Sequence, residues 1–186
     1  MLITELKSKD IITSFCLGKT VIISCSGCKE VFFPEIEVNN LCDELSYKKD
    51  IINIINTDYI CNPENLSRTV KISDANSILV FSCGIGIQTV SDMFSTIRVF
   101  PGCDTFPLPG FQGVTPLEFD CVGCESCHLN DTYGICPITS CSKSLINGQC
   151  GGCKNGMCEA DSNTKCAWER IYKKTHSFIG VRYEDN

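Results

Sequence analysis

Nine of the sixteen cysteines lie between Cys121 and Cys166, a stretch of 46 residues. So few large apolar side chains accompany them that the stretch cannot fold around a core of its own, so something bonded to the sulfurs must hold it. Cys121, Cys124 and Cys127 form a C-x2-C-x2-C run, in which three thiolates converge on one small inorganic cluster, as in ferredoxin-type sites. Cys136-Pro137 follows at a longer interval than the three residues that usually close that motif. Zinc is the rival, because the pairs Cys121/Cys124 and Cys150/Cys153 also suit tetrahedral thiolate sites. Even spacing of three cysteines favours a cluster. The remaining option is a disulfide framework of the kind found in short secreted chains.

The start of the chain weighs against that framework. MLITELKSKD is interrupted by Glu5 and Asp10 and contains no secretory apolar stretch, so the expected setting is a reducing cytoplasm, where clustered cysteines signal metal or redox chemistry. No segment approaches the roughly 18 apolar residues of a membrane span. A net charge of −6 with dispersed basic residues argues against a nucleic-acid partner. The length of 186 residues suits one ordinary domain and a small appendage. The division expected is an α/β domain over 1–115 and a Cys-rich module over 116–186, joined through the Pro/Gly-rich stretch Phe106–Pro116. A disordered end is expected only at Tyr183–Asn186.

The elements that must position the cysteines follow from hydrophobic spacing. Leu6, Ile11, Ile12 and Phe15 give a helical pattern over Thr4–Phe15, with Gly18 as a stop. Thr20–Ser24 is a buried strand ending at Cys25, with Cys28 at C-x2-C spacing. A helix runs from Pro34 to about Leu45, and Asp50–Asn56 is a β-branched strand with Cys61 beyond it. Asn62-Pro63 is an N-cap followed by a proline at N1 for a helix through Val70. Ser77–Ser82 is the clearest buried strand and leads through Cys83-Gly84-Ile85-Gly86 into a helix over Gln88–Ser95. Ile97–Phe100 is a fourth strand, followed by Pro101-Gly102-Cys103. The alternation predicts an α/β fold, a small parallel Rossmann-like sheet with helices on both faces, plus the Cys-rich module.

Ligand crevices in such sheets lie outside the carboxyl ends of the strands. Cys25, Cys28 and Cys83 are therefore expected to share a metal or cluster, with Cys61 or Cys103 as the fourth ligand. Cys16 and Cys42 sit within helical patterns and read as small buried hydrophobes. Gly84-x-Gly86 lacks a third glycine and an acidic partner, so it is not read as a nucleotide site. In the module, Cys121, Cys124, Cys127, Cys136, Cys141, Cys150, Cys158 and Cys166 supply eight thiolates for two four-cysteine sites, with Cys153 a spare or alternative ligand. His128 reads as a solvated or hydrogen-bonded histidine rather than a ligand. A final helix carrying Trp168, Ile171 and Tyr172, with both aromatics in the core, packs the module back onto the sheet.

The run from Cys121 to Leu129, Gly134–Pro137, Cys141, Leu145–Gly152, Gly156–Glu159 and Cys166–Trp168 resembles the C-terminal family of methylenetetrahydrofolate reductases, whose stand-alone members are the iron–sulfur small subunit of the acetogen-type enzyme. The likeness extends upstream through Cys83-Gly84-x-Gly86-x-Gln88 and the Cys25/Cys28 pair. The chain departs from the family's pattern at Phe32-Phe33-Pro34, at Gln149 where proline is common, and at the additional Cys153. The resemblance implies an electron-transfer subunit carrying two or more [4Fe-4S] clusters, with zinc possible at one site. Its expected partners are a flavin-containing catalytic subunit, where methylenetetrahydrofolate is reduced, and a redox donor protein. No flavin, folate or nicotinamide signature occurs in the chain itself. Two other classes are a structural zinc-binding scaffold subunit and a stand-alone metal-dependent enzyme.

Overall fold

The computed structural model describes residues 2–107 and 121–178. Most of the junction expected at Phe106–Pro116, and the end at Tyr183–Asn186, lie outside the described residues. In chain order the elements are β1 (Leu2–Leu6), α1 (Lys9–Phe15), β2 (Thr20–Cys25), β3 (Val31–Phe32), α2 (Glu35–Lys48), β4 (Ile51–Thr57), α3 (Pro63–Thr69), β5 (Ser77–Phe81), α4 (Gly84–Met93), β6 (Arg98–Pro101) and β7 (Cys103–Pro107). A 3-10 turn (His128–Asn130), α5 (Pro137–Ser140) and α6 (Ala167–Phe178) follow.

The main sheet is four-stranded and parallel, in the order β4-β2-β5-β6. The two inner strands, TVIISC and SILVF, are buried along their whole length, as continuous apolar runs covered on both faces must be. Their side chains alternate between two cores. Ile22, Leu79 and Phe81 meet α1 and α2 through Ile12, Phe15, Val38 and Leu41. Val21, Ile23, Ile78 and Val80 meet α3 and α4 through Leu66, Ile87 and Val90. The caps also match local chemistry: Asn62 accepts from the backbone N–H groups of Glu64 and Asn65, with Pro63 in the first turn of α3.

A second sheet, β3-β1-β7, was not expected from the sequence. The stretch read as one helix over Thr4–Phe15 begins as a strand, and helix α1 starts only at Lys9. The helical spacing of Leu6, Ile11, Ile12 and Phe15 is outweighed at its start by pairing: β1 runs parallel to β3 and antiparallel to β7. Thr4 is buried there, its hydroxyl donating to the Phe32 carbonyl at 3.0 Å. Helix α4 also starts earlier than expected, at Gly84, so Cys83 becomes its N-cap.

Gly102 is the corner at which the chain leaves one sheet for the other. β6 ends at Pro101 and β7 begins at Cys103, with the Gly102 N–H donating to the Val80 carbonyl at 2.8 Å and its own carbonyl accepting from Lys7 at 3.0 Å. A Cβ at this position would lie 2.5 Å from the Phe81 ring, so the corner is as tight as it is because nothing projects from it. Among the described residues no helix is long and apolar enough to cross a membrane.

Candidate metal centres

Three loops bring cysteines to the carboxyl ends of β2, β4 and β5. Cys25 ends β2, and the turn to Cys28 is fixed by the Asp58 carboxylate, which accepts the Gly27 N–H at 2.6 Å. Asp58 lies in the β4–α3 loop, tied by Asn65 donating to its carbonyl at 2.5 Å, and the same loop delivers Cys61. Cys83 lies two residues beyond the end of β5. Burial is the main cause that raises Cys25, Cys61 and Cys83, and neighbouring thiols add to it: Cys83 and Cys61 at Cys25, Cys83 and Cys28 at Cys61, Cys28 at Cys83. Cys25, Cys28, Cys61 and Cys83 thus form an N-terminal group.

Cys103, the other thiol expected beside Cys83, is fully buried in the α1/α2 core; burial pushes its thiol up to about 12, Cys83 adds to the rise and the Ser82 N–H opposes it. Cys42 occupies the same core, its thiol pushed up to about 11, again chiefly by burial. An unfolded thiol titrates near 9, whereas these hold their protons to higher pH. The folded state therefore binds more protons above that value, and stability is lost as pH rises. Each pH unit costs about 1.4 kcal/mol per such thiol. Cys103→Ala is expected to reduce by about that amount the loss of stability between about pH 8 and about pH 10, read from urea midpoints.

In the Cys-rich region two further groups line separate cavities. Cys121, Cys124, Cys127 and Cys136 surround one, with His128 and Gln88 at its wall. Cys141, Cys150, Cys153, Cys158 and Cys166 surround the other. The single helical turn α5 is bracketed by Cys136 and Cys141, one from each group. Turns dominate this region, with left-handed backbone at Glu125, Tyr133, Ser144 and Asn155 as well as at several glycines. None of the sixteen cysteines is in a disulfide.

The strap that holds the middle group was not legible in the sequence. From β7, Asp104 accepts the Cys127 backbone N–H at 2.9 Å and pairs with Lys7 at 2.5 Å. The adjacent Thr105 hydroxyl accepts the Gly84 N–H at 3.1 Å. The only sequence signal was a polar pair after a proline-glycine step, which reads as loop. Helix α6 clamps the region to α4: Lys174 donates to the Ser91 carbonyl at 2.9 Å and to its hydroxyl at 2.6 Å. Ala167 and Ile171 are buried beneath. Trp168 is half-buried and donates to the Leu145 carbonyl at 2.8 Å. Tyr172, expected in the core, is 47% exposed, and its ring lies against His176.

Backbone N–H groups reach several of the grouped thiols and also one core thiol, Cys103, through Ser82. Burial raises Cys25, Cys83, Cys121 and Cys127, but backbone N–H groups oppose it at each: Ile60 and Tyr59 at Cys25, Gly86 and Ile85 at Cys83, Gly123 at Cys121, Leu129 at Cys127. Cys158 is held below the usual thiol range by the Ser142 hydroxyl and the N–H groups of Ala160 and Asp161. At Cys16 and Cys42 no such donor acts among the described residues. Cys16 instead donates to the Ile12 carbonyl at 3.7 Å. Cys153 is the odd member of the distal group: its sulfur lies 2.7 Å from a Glu169 carboxylate oxygen, which pushes the thiol up to about 12.

The donor set fits a metal centre, since thiols that receive N–H bonds are prepared to carry negative charge. Among the described residues, however, no three His, Cys, Asp or Glu side chains stand close enough to share one ion. A tetrahedral zinc site, with Zn–S near 2.3 Å, needs sulfurs roughly 3.8 Å apart.

These observations define a mixed α/β protein whose parallel sheet carries thiols at its strand ends and a cysteine-rich region strapped against it. Residues 100–182, a little under half of the chain, match the family model described as methylene-tetrahydrofolate reductase C terminal. The match takes in the middle and distal groups but not the N-terminal one. No curated protein and no solved structure matches the chain.

Proposed function

We propose that the chain is the iron–sulfur electron-transfer subunit of a methylenetetrahydrofolate reductase complex, working in the cytoplasm and passing electrons to the flavin of a partner catalytic subunit. The observation that carries this reading is the gathering of Cys121, Cys124, Cys127 and Cys136 around one cavity beside α4 and of five further cysteines around another. Four thiols of the middle group and four of the distal group, Cys141, Cys150, Cys158 and Cys166, would each hold a [4Fe-4S] centre, and the N-terminal four a further one. Such a centre supplies one-electron storage at a potential set by hydrogen bonds to its sulfurs, by charge and by exposure. The chain's own contribution is to stabilise thiolates through N–H bonds, to exclude water by packing the middle group against Leu129 and α4, and to hold that packing with Asp104 and Thr105. Methylene-to-methyl reduction takes two electrons, so the pairing of single electrons belongs to the partner's flavin. A redox protein would supply them.

The even spacing of Cys121, Cys124 and Cys127 favours this over a structural zinc scaffold. Metal and acid-labile sulfide analysis of anaerobically purified protein tests it. The expected result is about four irons and four sulfides per occupied group. Zinc without sulfide, or extensive disulfide pairing, overturns the reading. Within the distal group, Cys158→Ser is expected to lower the iron content by about one group's share. Cys153→Ala is expected to leave it unchanged, because Glu169 keeps that thiol protonated.

A further inference from the structure

The N-terminal and middle groups come from opposite ends of the chain, yet the fold sets them on either side of one residue. Cys83 closes the N-terminal group as the N-cap of α4, and Gly84 is the next residue. A Cβ built on Gly84 would lie 2.8 Å from the sulfur of Cys121 and 3.5 Å from its Cβ. Gly84 itself is buried and lines the cavity of the middle group together with Cys121, Cys124, Cys127 and Cys136. The charge of Cys83 is felt at Cys121 as well as at Cys25 and Cys61. Gly84 is the first residue of helix α4 and does not have a left-handed backbone. Its requirement is therefore space, and the space is taken up by a thiol of the neighbouring group.

We propose that Gly84 is the shared wall between the two thiolate groups, setting their centres side by side so that they exchange electrons directly with each other. The inference rests on the reading of these groups as iron–sulfur sites. With both groups loaded, the step would balance within the protein: one centre would be oxidised by one electron as its neighbour was reduced by one, with no bond made or broken and no proton required at the wall. Two features hold the geometry. The Gly84 N–H is anchored by Thr105, and one residue away Asp104 anchors Cys127, so a single strand, β7, fixes both sides of the wall. The wall has no side chain of its own, so only backbone separates Cys83 from the Cys121 side.

Electron paramagnetic resonance of the full chain, purified anaerobically with iron and sulfide counted and then reduced with dithionite, tests the inference without reference to activity. Two reduced paramagnetic centres in contact split and broaden each other's signals. The expected result is such a spectrum in the wild type, collapsing to a simpler unsplit signal in Cys61→Ser, which removes a thiol of the N-terminal group but none of the middle group. Gly84→Ala, whose methyl group displaces Cys121, is expected to weaken the splitting at unchanged iron content. If that variant does not fold, the comparison of wild type with Cys61→Ser decides by itself. A spectrum that is the plain sum of independent centres, with iron and sulfide present for both groups, overturns the inference while leaving the electron-transfer reading intact. Loading of only one of the two groups overturns it equally. Failure of every group to take up iron and sulfide removes the reading beneath it as well.

Discussion

Cys127→Ser, assembled with the proposed flavoprotein partner, is expected to lose donor-driven reduction of that partner's flavin while an artificial donor that reaches the flavin directly still reduces it. Cys127 is the most firmly placed thiol of the middle group. Its backbone N–H is held by Asp104, its sulfur receives the Leu129 N–H, and burial pushes its thiol up to about 12. A serine there offers a hydroxyl that stays protonated in the same buried position and cannot replace a thiolate. Loss of an outer-shell partner alone typically costs 10–100-fold in metal affinity or activity, so loss of a ligand should cost at least about that much. The two donors are compared on the same heteromer, with flavin content and assembly checked by absorbance and gel filtration. If both routes fail together in an assembled, flavin-loaded complex, the relay role is wrong; full donor-driven activity would mean that the middle group serves structure alone. Cys124→Ser should behave in the same way, although its thiol is exposed and bonded only locally, to the Ser126 carbonyl at 3.4 Å.

Phe81→Ala should have the largest effect on stability, about 3–5 kcal/mol. Phe81 is fully buried at the end of the inner strand β5, packed with Ile12, Phe15, Ile22 and Leu79, its ring against the Gly102 corner. The truncation opens a space that neither the sheet nor the corner can close, because both are held by ladder hydrogen bonds on either side. Typical domains are stable by about 5–15 kcal/mol in all, so the variant should unfold at a much lower urea concentration, if it accumulates at all. Phe81→Leu, which leaves a smaller cavity, is expected to fall between the two. The residue also connects core to chemistry, since Ser82 and Cys83 follow it directly. A wild-type midpoint in Phe81→Ala would show that the β5 end is not the keystone of the core.

What the sequence made legible divides by how local the cause is. β2 and β5 are continuous apolar runs that only a doubly covered strand explains, and the parallel sheet with helices over both faces follows from their alternation with α2, α3 and α4. The Cys-x2-Cys-x2-Cys spacing fixes where Cys121, Cys124 and Cys127 lie relative to one another. β1 and β7 escaped notice because each is five residues long and is a strand only through its partner in the other's sequence-distant segment. The choice between Cys61 and Cys103 beside Cys83 was open for the same reason. Both follow an apolar run, and only the Asp58–Asn65 loop and the burial of Cys103 behind Phe81 set them apart. Asp104 and Thr105 are two ordinary polar residues until β7 lays them across the site.

The three groups also differ in how far the chain must travel to close them. Cys121 to Cys136 is a loop of 16 residues and Cys141 to Cys166 one of 26, whereas Cys25 to Cys83 spans 59 and passes through three strands. Loop-closure entropy alone makes the last about 1 kcal/mol harder to close than the first, and its thiols meet only once β2, β4 and β5 are paired. On the proposed reading, metal would be captured by the two C-terminal groups in a chain whose sheet has not yet formed, while the N-terminal group would wait for the native topology. Refolding from denaturant with iron and sulfide present would then proceed in two stages, local cluster loading first and sheet-dependent loading afterwards, and uptake by the N-terminal group would report on completion of the fold.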